Sequence, residues 1–156
     1  MESRITASPV FQVAEIELIY KLKVKASERP MISTSKDAYE VLKQCWDENK
    51  IDLLEQFKIL LLNRSNKVLA VYEVSSGGIT GTIADPRLIF TAALKVNTVS
   101  IILAHNHPSG NLKPSRADEE LTSKIKEAGK FLDIKVLDHI VLSSDSYFSF
   151  ADEGLL

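Results

Sequence analysis

Residues 99–118 read VSIILAHNHPSGNLKPSRAD, and the reading of the whole chain turns on them. Val99 to Ala104 is a dense apolar run of strand length, bounded on its far side by a polar stretch from His105 to Pro114. Such a run suits a strand buried on both faces. Ser115 and Asp118 stand at the spacing of a capping box, so a helix is expected to start there and to run to about Phe131. Ile134 to Leu142 is apolar again and reads as the next strand. Strand, loop, helix and strand in that order form one unit of an α/β sheet.

Working outward, Phe57 to Leu62 is a second dense strand. The polar turn from Asn63 to Lys67 leads to a hairpin partner over Val68–Val74. Gly77, Gly78 and Gly81 mark a tight loop. Asp85 and Pro86 are suited to the N-cap and first position of a helix running through Val96. Thr34 and Asp37 repeat the capping-box spacing ahead of a helix expected over about Ser35–Glu48. Ile16, Leu18, Tyr20, Leu22 and Val24 alternate with charged residues, which predicts a half-buried strand with the character of an edge. Tyr147 to Phe150 reads as a short last strand. The order βαββαβαβ(β) predicts an α/β domain layered around a mixed sheet. The expected division is an N-terminal segment over 1–30, carrying the 16–24 strand, and one domain over 31–156.

Composition narrows the function. The chain has 156 residues, 45% hydrophobic and 26% charged, the profile of a single soluble domain with its own core. Nineteen basic against 21 acidic residues give a net charge of −2, without the basic footprint of a non-specific nucleic-acid binder. The single cysteine, Cys45, excludes an internal disulfide and every multi-thiolate zinc site, and points to a reducing compartment. No apolar run reaches the length of a membrane span, and the N-terminus lacks a secretory pattern. A cytoplasmic protein is expected.

Two of the chain's three histidines, His105 and His107, fall at the carboxyl end of the predicted central strand. Side chains two apart on a strand share a face, so both imidazoles aim at one point. Ligand sites in α/β sheets lie beyond these strand ends. Pro108, Gly110 and Pro114 turn the chain back and bring Asp118 toward that point. Two histidines and a carboxylate form a three-ligand set for Zn²⁺ that leaves the fourth tetrahedral position to water. The same residues also have plainer uses: Ser115 and Asp118 as a helix cap, the histidines as loop residues bonded to backbone. A metal-bound water needs a base, for which Glu55, Glu73 and Asp85 are the candidates. Glu55 precedes the Phe57–Leu62 strand, Glu73 lies within a strand, and Asp85 already serves as a cap.

The loop resembles the JAMM (MPN+, Jab-type) metalloprotease motif: a Glu, then His-x-His, ten residues, then Asp. Ten residues separate His107 from Asp118. More closely, Ala104 to Gly110, Pro114-Ser115 with Asp118, Asp138-His139-Ile140 and Ser149-Phe150 are similar to the RadC-like branch of that family, over roughly Thr34 to Leu156. The resemblance implies a cytidine-deaminase-like (JAB/MPN) three-layer fold and Zn²⁺ held by His105, His107 and Asp118. It implies Glu55 as the base, Ser115 as a donor to the oxyanion of a tetrahedral intermediate, and hydrolysis of an amide or isopeptide bond in a protein or peptide. Asp138 is a candidate acceptor for a ligand imidazole's second N–H, and His139 a residue that shapes the start of its strand. Longer RadC-like proteins carry an N-terminal helical region suggestive of DNA binding. Here the expected metal domain takes up most of the chain, and the net charge gives a DNA-repair role no support. An interaction module holding a metal without turnover is the further alternative.

Overall fold

Gln56–Leu62 (β1) and Ser100–Asn106 (β3) are buried at every position, as expected of strands covered on both faces. The computed structural model describes residues 12–17, 19–21, 23–77 and 83–156. Besides β1 and β3 its strands are β2 (Val68–Ser76), β4 (Lys135–Leu142) and β5 (Tyr147–Ser149). Its helices are α1 (Ser35–Cys45), α2 (Pro86–Lys95) and α3 (Arg116–Phe131), with one 3₁₀ turn at Ala26–Glu28. The strands form one mixed sheet in the order β2-β1-β3-β4-β5. Only β3 and β4, joined through α3, run parallel. This is the expected layered α/β fold.

Strand alternation sorts the core into two layers. Phe57, Ile59, Leu61, Ile101 and Leu103 face α2 and α3 through Ile89, Phe90, Ala93 and Ile125. Leu60, Leu62, Ile102 and Ala104 face Ala38 and Leu42 of α1 and Trp46 just past its end. Each fully buried side chain of this size contributes about 1.5–3 kcal/mol relative to exposure. In β4 one extra residue, Leu137, stands between the partners of Ile101 and Ile102. This bulge resets the alternation. It turns Ile140 and Leu142 toward the α1 layer, and His139 toward His105 on the opposite face.

Two expectations are corrected. The strand expected over 16–24 is not formed: none of its described residues lies in a strand, while Leu18 and Leu22 fall outside the described residues. The segment is held by a hydrogen bond from the Tyr20 hydroxyl to the Leu69 carbonyl, and Ile16 is 87% exposed. Alternation of apolar and charged residues does not mark a paired strand here. The strand expected to stop at Ala104 continues through Asn106, because the ladder is still occupied on the β4 side at His105 and Asn106. Gly78 and Gly81 lie outside the described residues. No helix among the described residues is long and apolar enough to cross a membrane.

Candidate metal centre

His105 is the penultimate residue of β3 and almost wholly buried, its ring parallel to that of Phe57 at 6.0 Å. His107 follows one residue past the strand. Its Nδ1 lies 2.6 Å from the carbonyl of Asn111. A carbonyl only accepts, so His107 Nδ1 is the donor in this contact and Nε2 is the atom turned to the site. That Nε2 faces the Nε2 of His105 at 3.0 Å. Asp118 reaches the same point from the first turn of α3. Its Oδ2 lies 3.4 Å from His105 Nε2 and 3.7 Å from His107 Nε2. Glu55, ahead of β1, brings Oε1 to 3.7 Å and 3.8 Å from the two nitrogens. Glu55, His105 and His107 present ligand atoms that all lie within 4.8 Å of one another.

The cap and ligand readings of Asp118 prove compatible. Its Oδ2 accepts the Ser115 N–H at 2.8 Å, while the Ser115 hydroxyl oxygen accepts the Asp118 N–H at 3.1 Å. The oxygen that closes the capping box is the one that faces both imidazoles. Burial raises the Asp118 carboxyl, but the two imidazoles and the Ser115 N–H outweigh it and hold the group far below the usual carboxylate range. The Asp118 carboxylate raises the His107 imidazole, against the effect of burial.

The geometry fits a cation. Ligands about 2.0–2.1 Å from a tetrahedral centre stand about 3.3 Å apart, and the three separations among His105, His107 and Asp118 are 3.0, 3.4 and 3.7 Å. Two imidazole nitrogens converging with an anionic carboxylate beside them form a donor set of the kind that holds a divalent cation.

The other candidate bases stand elsewhere. Glu73 accepts from Gln56 Nε2 at 2.8 Å and lies 3.9 Å from Lys58 Nζ. Asp85 caps α2 and pairs with Arg87 at 2.9 Å. Asp138 does not reach a ligand imidazole. Its carboxylate accepts from the Ser149 hydroxyl and the Ala151 and His139 N–H groups. The imidazole partner is its neighbour His139, whose Nε2 lies 2.8 Å from His105 Nδ1. The contact with a site imidazole that was expected of Asp138 is thus made by His139.

Two further residues escaped the sequence reading. Asn106 is fully buried, and its amide donates to the carbonyls of Ile51 and Leu54 and accepts the Gln56 N–H. With the Gly77 N–H on the Glu55 carbonyl, this clamps the backbone on both sides of Glu55. Strand alternation alone signals that a residue between two same-face histidines turns away from them, into the opposite layer. Thr122, buried one helical turn after Asp118, touches both the Asp118 carbonyl and His139.

The family model for the RadC-like JAB domain matches residues 32–155. The chain is 47% identical over 124 residues to the UPF0758 protein of Flavobacterium johnsoniae, covering 80% of this chain and 53% of that one. It is 36% identical over 154 residues to the UPF0758 protein of Chlorobaculum parvum, covering 97% and 68%. A UPF0758 protein of Symbiobacterium thermophilum is 45% identical over 103 residues, covering 66% and 44%. The chain thus spans between 44% and 68% of the length of these relatives.

Proposed function

The chain belongs to the RadC-like JAB domain family, and from that premise we propose that it is a zinc-dependent hydrolase of amide or isopeptide bonds in a protein or peptide substrate. The observation that carries the reading is the near-tetrahedral spacing of His105, His107 and Asp118 with a fourth group, Glu55, beside both imidazoles. His105, His107 and Asp118 would hold the ion, a mixed nitrogen and oxygen set suited to zinc. Bound there, zinc supplies Lewis acidity and lowers the pKa of a coordinated water toward about 7.

The chain's own groups supply the rest. Among the described residues, Glu55 is the one carboxylate beside the imidazoles that helix α3 does not carry. Its backbone is clamped by Asn106 and Gly77, so its carboxylate is held to accept the proton of the attacking water and return it to the leaving amine. The Ser115 oxygen accepts from the Asp118 N–H, which leaves its own hydroxyl proton free to meet a developing oxyanion. Phe57 walls the inner side of the site and keeps bulk water from the His105 ring.

Elemental analysis paired with a peptidase assay tests this reading. About one zinc per chain is expected, lost in His105→Ala and Asp118→Ala. Glu55→Gln should retain the metal and lose hydrolysis. A wild-type protein that folds without binding zinc overturns the reading. Full metal with equal activity in wild type and Glu55→Gln removes Glu55 as the base.

A further inference from the structure

Three contacts behind the metal centre fix where protons sit. The Thr122 hydroxyl lies 2.7 Å from the Asp118 carbonyl and 2.6 Å from His139 Nδ1. The carbonyl has no proton to give, so the single hydroxyl proton of Thr122 occupies the first contact. The proton in the second contact must then be the Nδ1–H of His139. His139 is fully buried, stacked on Phe150 at 4.6 Å and edge-on to Phe57 at 5.6 Å. Neither of its hydrogen-bond partners carries a negative charge. A second proton on that ring would be an uncompensated buried charge, so His139 is neutral and its Nε2 is bare. The 2.8 Å contact to His105 Nδ1 therefore takes its proton from His105.

We propose that His139, oriented by Thr122, is a positioning residue that keeps the His105 proton on Nδ1 and turns the His105 Nε2 lone pair toward His107 and Asp118. The chain of donors runs from His105 to His139 to Thr122 and ends on the backbone carbonyl of Asp118, the residue whose side chain faces His105 from the other side. One residue thus anchors both ends, so any shift of α3 against β4 is felt at the metal centre and in the relay together. Partners of ligand imidazoles typically tune metal affinity by 10–100-fold. The bulge at Leu137 is what places His139 on the required face. The aim of the relay rests on the metal-centre reading above; its proton arrangement does not.

The test separates the two. Nitrogen NMR of the whole metal-free chain should show His139 protonated on Nδ1 and bare on Nε2, with His105 protonated on Nδ1. A proton on His139 Nε2 overturns the relay whether or not the protein binds zinc. In zinc titrations against a competing chelator, His139→Phe keeps the ring packing without the acceptor and should weaken binding about 10–100-fold. His139→Gln offers an acceptor to His105 and a donor to Thr122, and should restore affinity to within about threefold of wild type. Thr122→Val should weaken binding in the same direction as His139→Phe. A folded His139→Phe with wild-type affinity, or no recovery in a folded His139→Gln, overturns the proposal. Failure of the wild type to bind zinc overturns the metal reading alone, and the nitrogen spectrum still decides the relay.

Discussion

Asn106 has to be an amide. It sits at the end of β3 with no exposure, and its side chain meets two carbonyls and one N–H at 2.8–2.9 Å. Only a group with two donor hydrogens and an acceptor oxygen serves all three. Asn106→Ala strands these backbone groups in the interior, and a loss of about 3 kcal/mol is expected from chemical denaturation. The same variant should lower hydrolysis by more than about tenfold while leaving zinc bound, because it frees the backbone around Glu55 and not the ligands. Asp138 gives the residue scale a pH signature. Burial raises its carboxyl pKa, against three hydrogen bonds that lower it. A folded pKa above the unfolded one means that the stabilising contribution is complete below the unfolded value of about 3.8 and fades as pH rises through the folded value. Denaturation of wild type and Asp138→Asn between pH 4 and pH 7 should show wild type gaining relative stability toward the acid end. None of these partnerships is legible in the sequence. Asn106 meets chain about 50 residues away, and nothing local distinguishes an acceptor at Asp138 from one at His139.

Helix ends were more legible, because a cap is local chemistry. Thr34 with Asp37, Asp85 with Pro86, and Ser115 with Asp118 all begin helices where their spacing predicts. The two capping boxes also provide a controlled comparison. Thr34 and Ser115 each accept the N–H three residues on, but only the Ser115 box contains a carboxylate that faces the two imidazoles. Each substitution to Ala should cost about 1 kcal/mol of stability. Thr34→Ala should leave turnover intact, whereas Ser115→Ala should reduce kcat about 10²–10³-fold at unchanged zinc content. Equal turnover in the two variants would reduce Ser115 to a cap. At the other end of α3, Gly129 is buried where the chain folds back into β4. A Cβ there would meet the Ile134 carbonyl oxygen at 2.4 Å. Gly129→Ala should therefore destabilise by about 1–3 kcal/mol through overpacking, against the gain that helix propensity alone predicts; a raised Tm would contradict this. Helix ends beyond the caps were less legible. α1 stops at Cys45, short of the expected Glu48, because Trp46 leaves the helix with extended backbone and turns into the core.

On the scale of the whole molecule, apolar density located the two central strands, their order gave the layered α/β class, and the Asn63–Lys67 turn marked the β1–β2 hairpin, but the pairings of β3 with β1 and β4 had no local mark. The 16–24 segment shows the limit: apolar and charged residues alternate along it, yet a strand exists only where another chain edge accepts its hydrogen bonds. What the assembled sheet does is bring three elements to one point. His105 comes from the end of β3, His107 from the loop beyond it and Asp118 from α3, with Glu55 arriving ahead of β1. In the unfolded chain these groups are not held together, so a zinc ion held by them would bind the native state and its binding free energy would add to folding. With free zinc at about 1,000 times Kd, the added stability is about 4 kcal/mol. For a domain of this size that corresponds to a rise in Tm of about 8–16 °C. His105→Ala should abolish the rise without removing the fold, since β3 keeps its ladder on both sides. A wild-type Tm indifferent to zinc and to chelator would mean that the four groups do not converge on a metal in solution. A rise that persists in His105→Ala would place the bound zinc at another point on the chain.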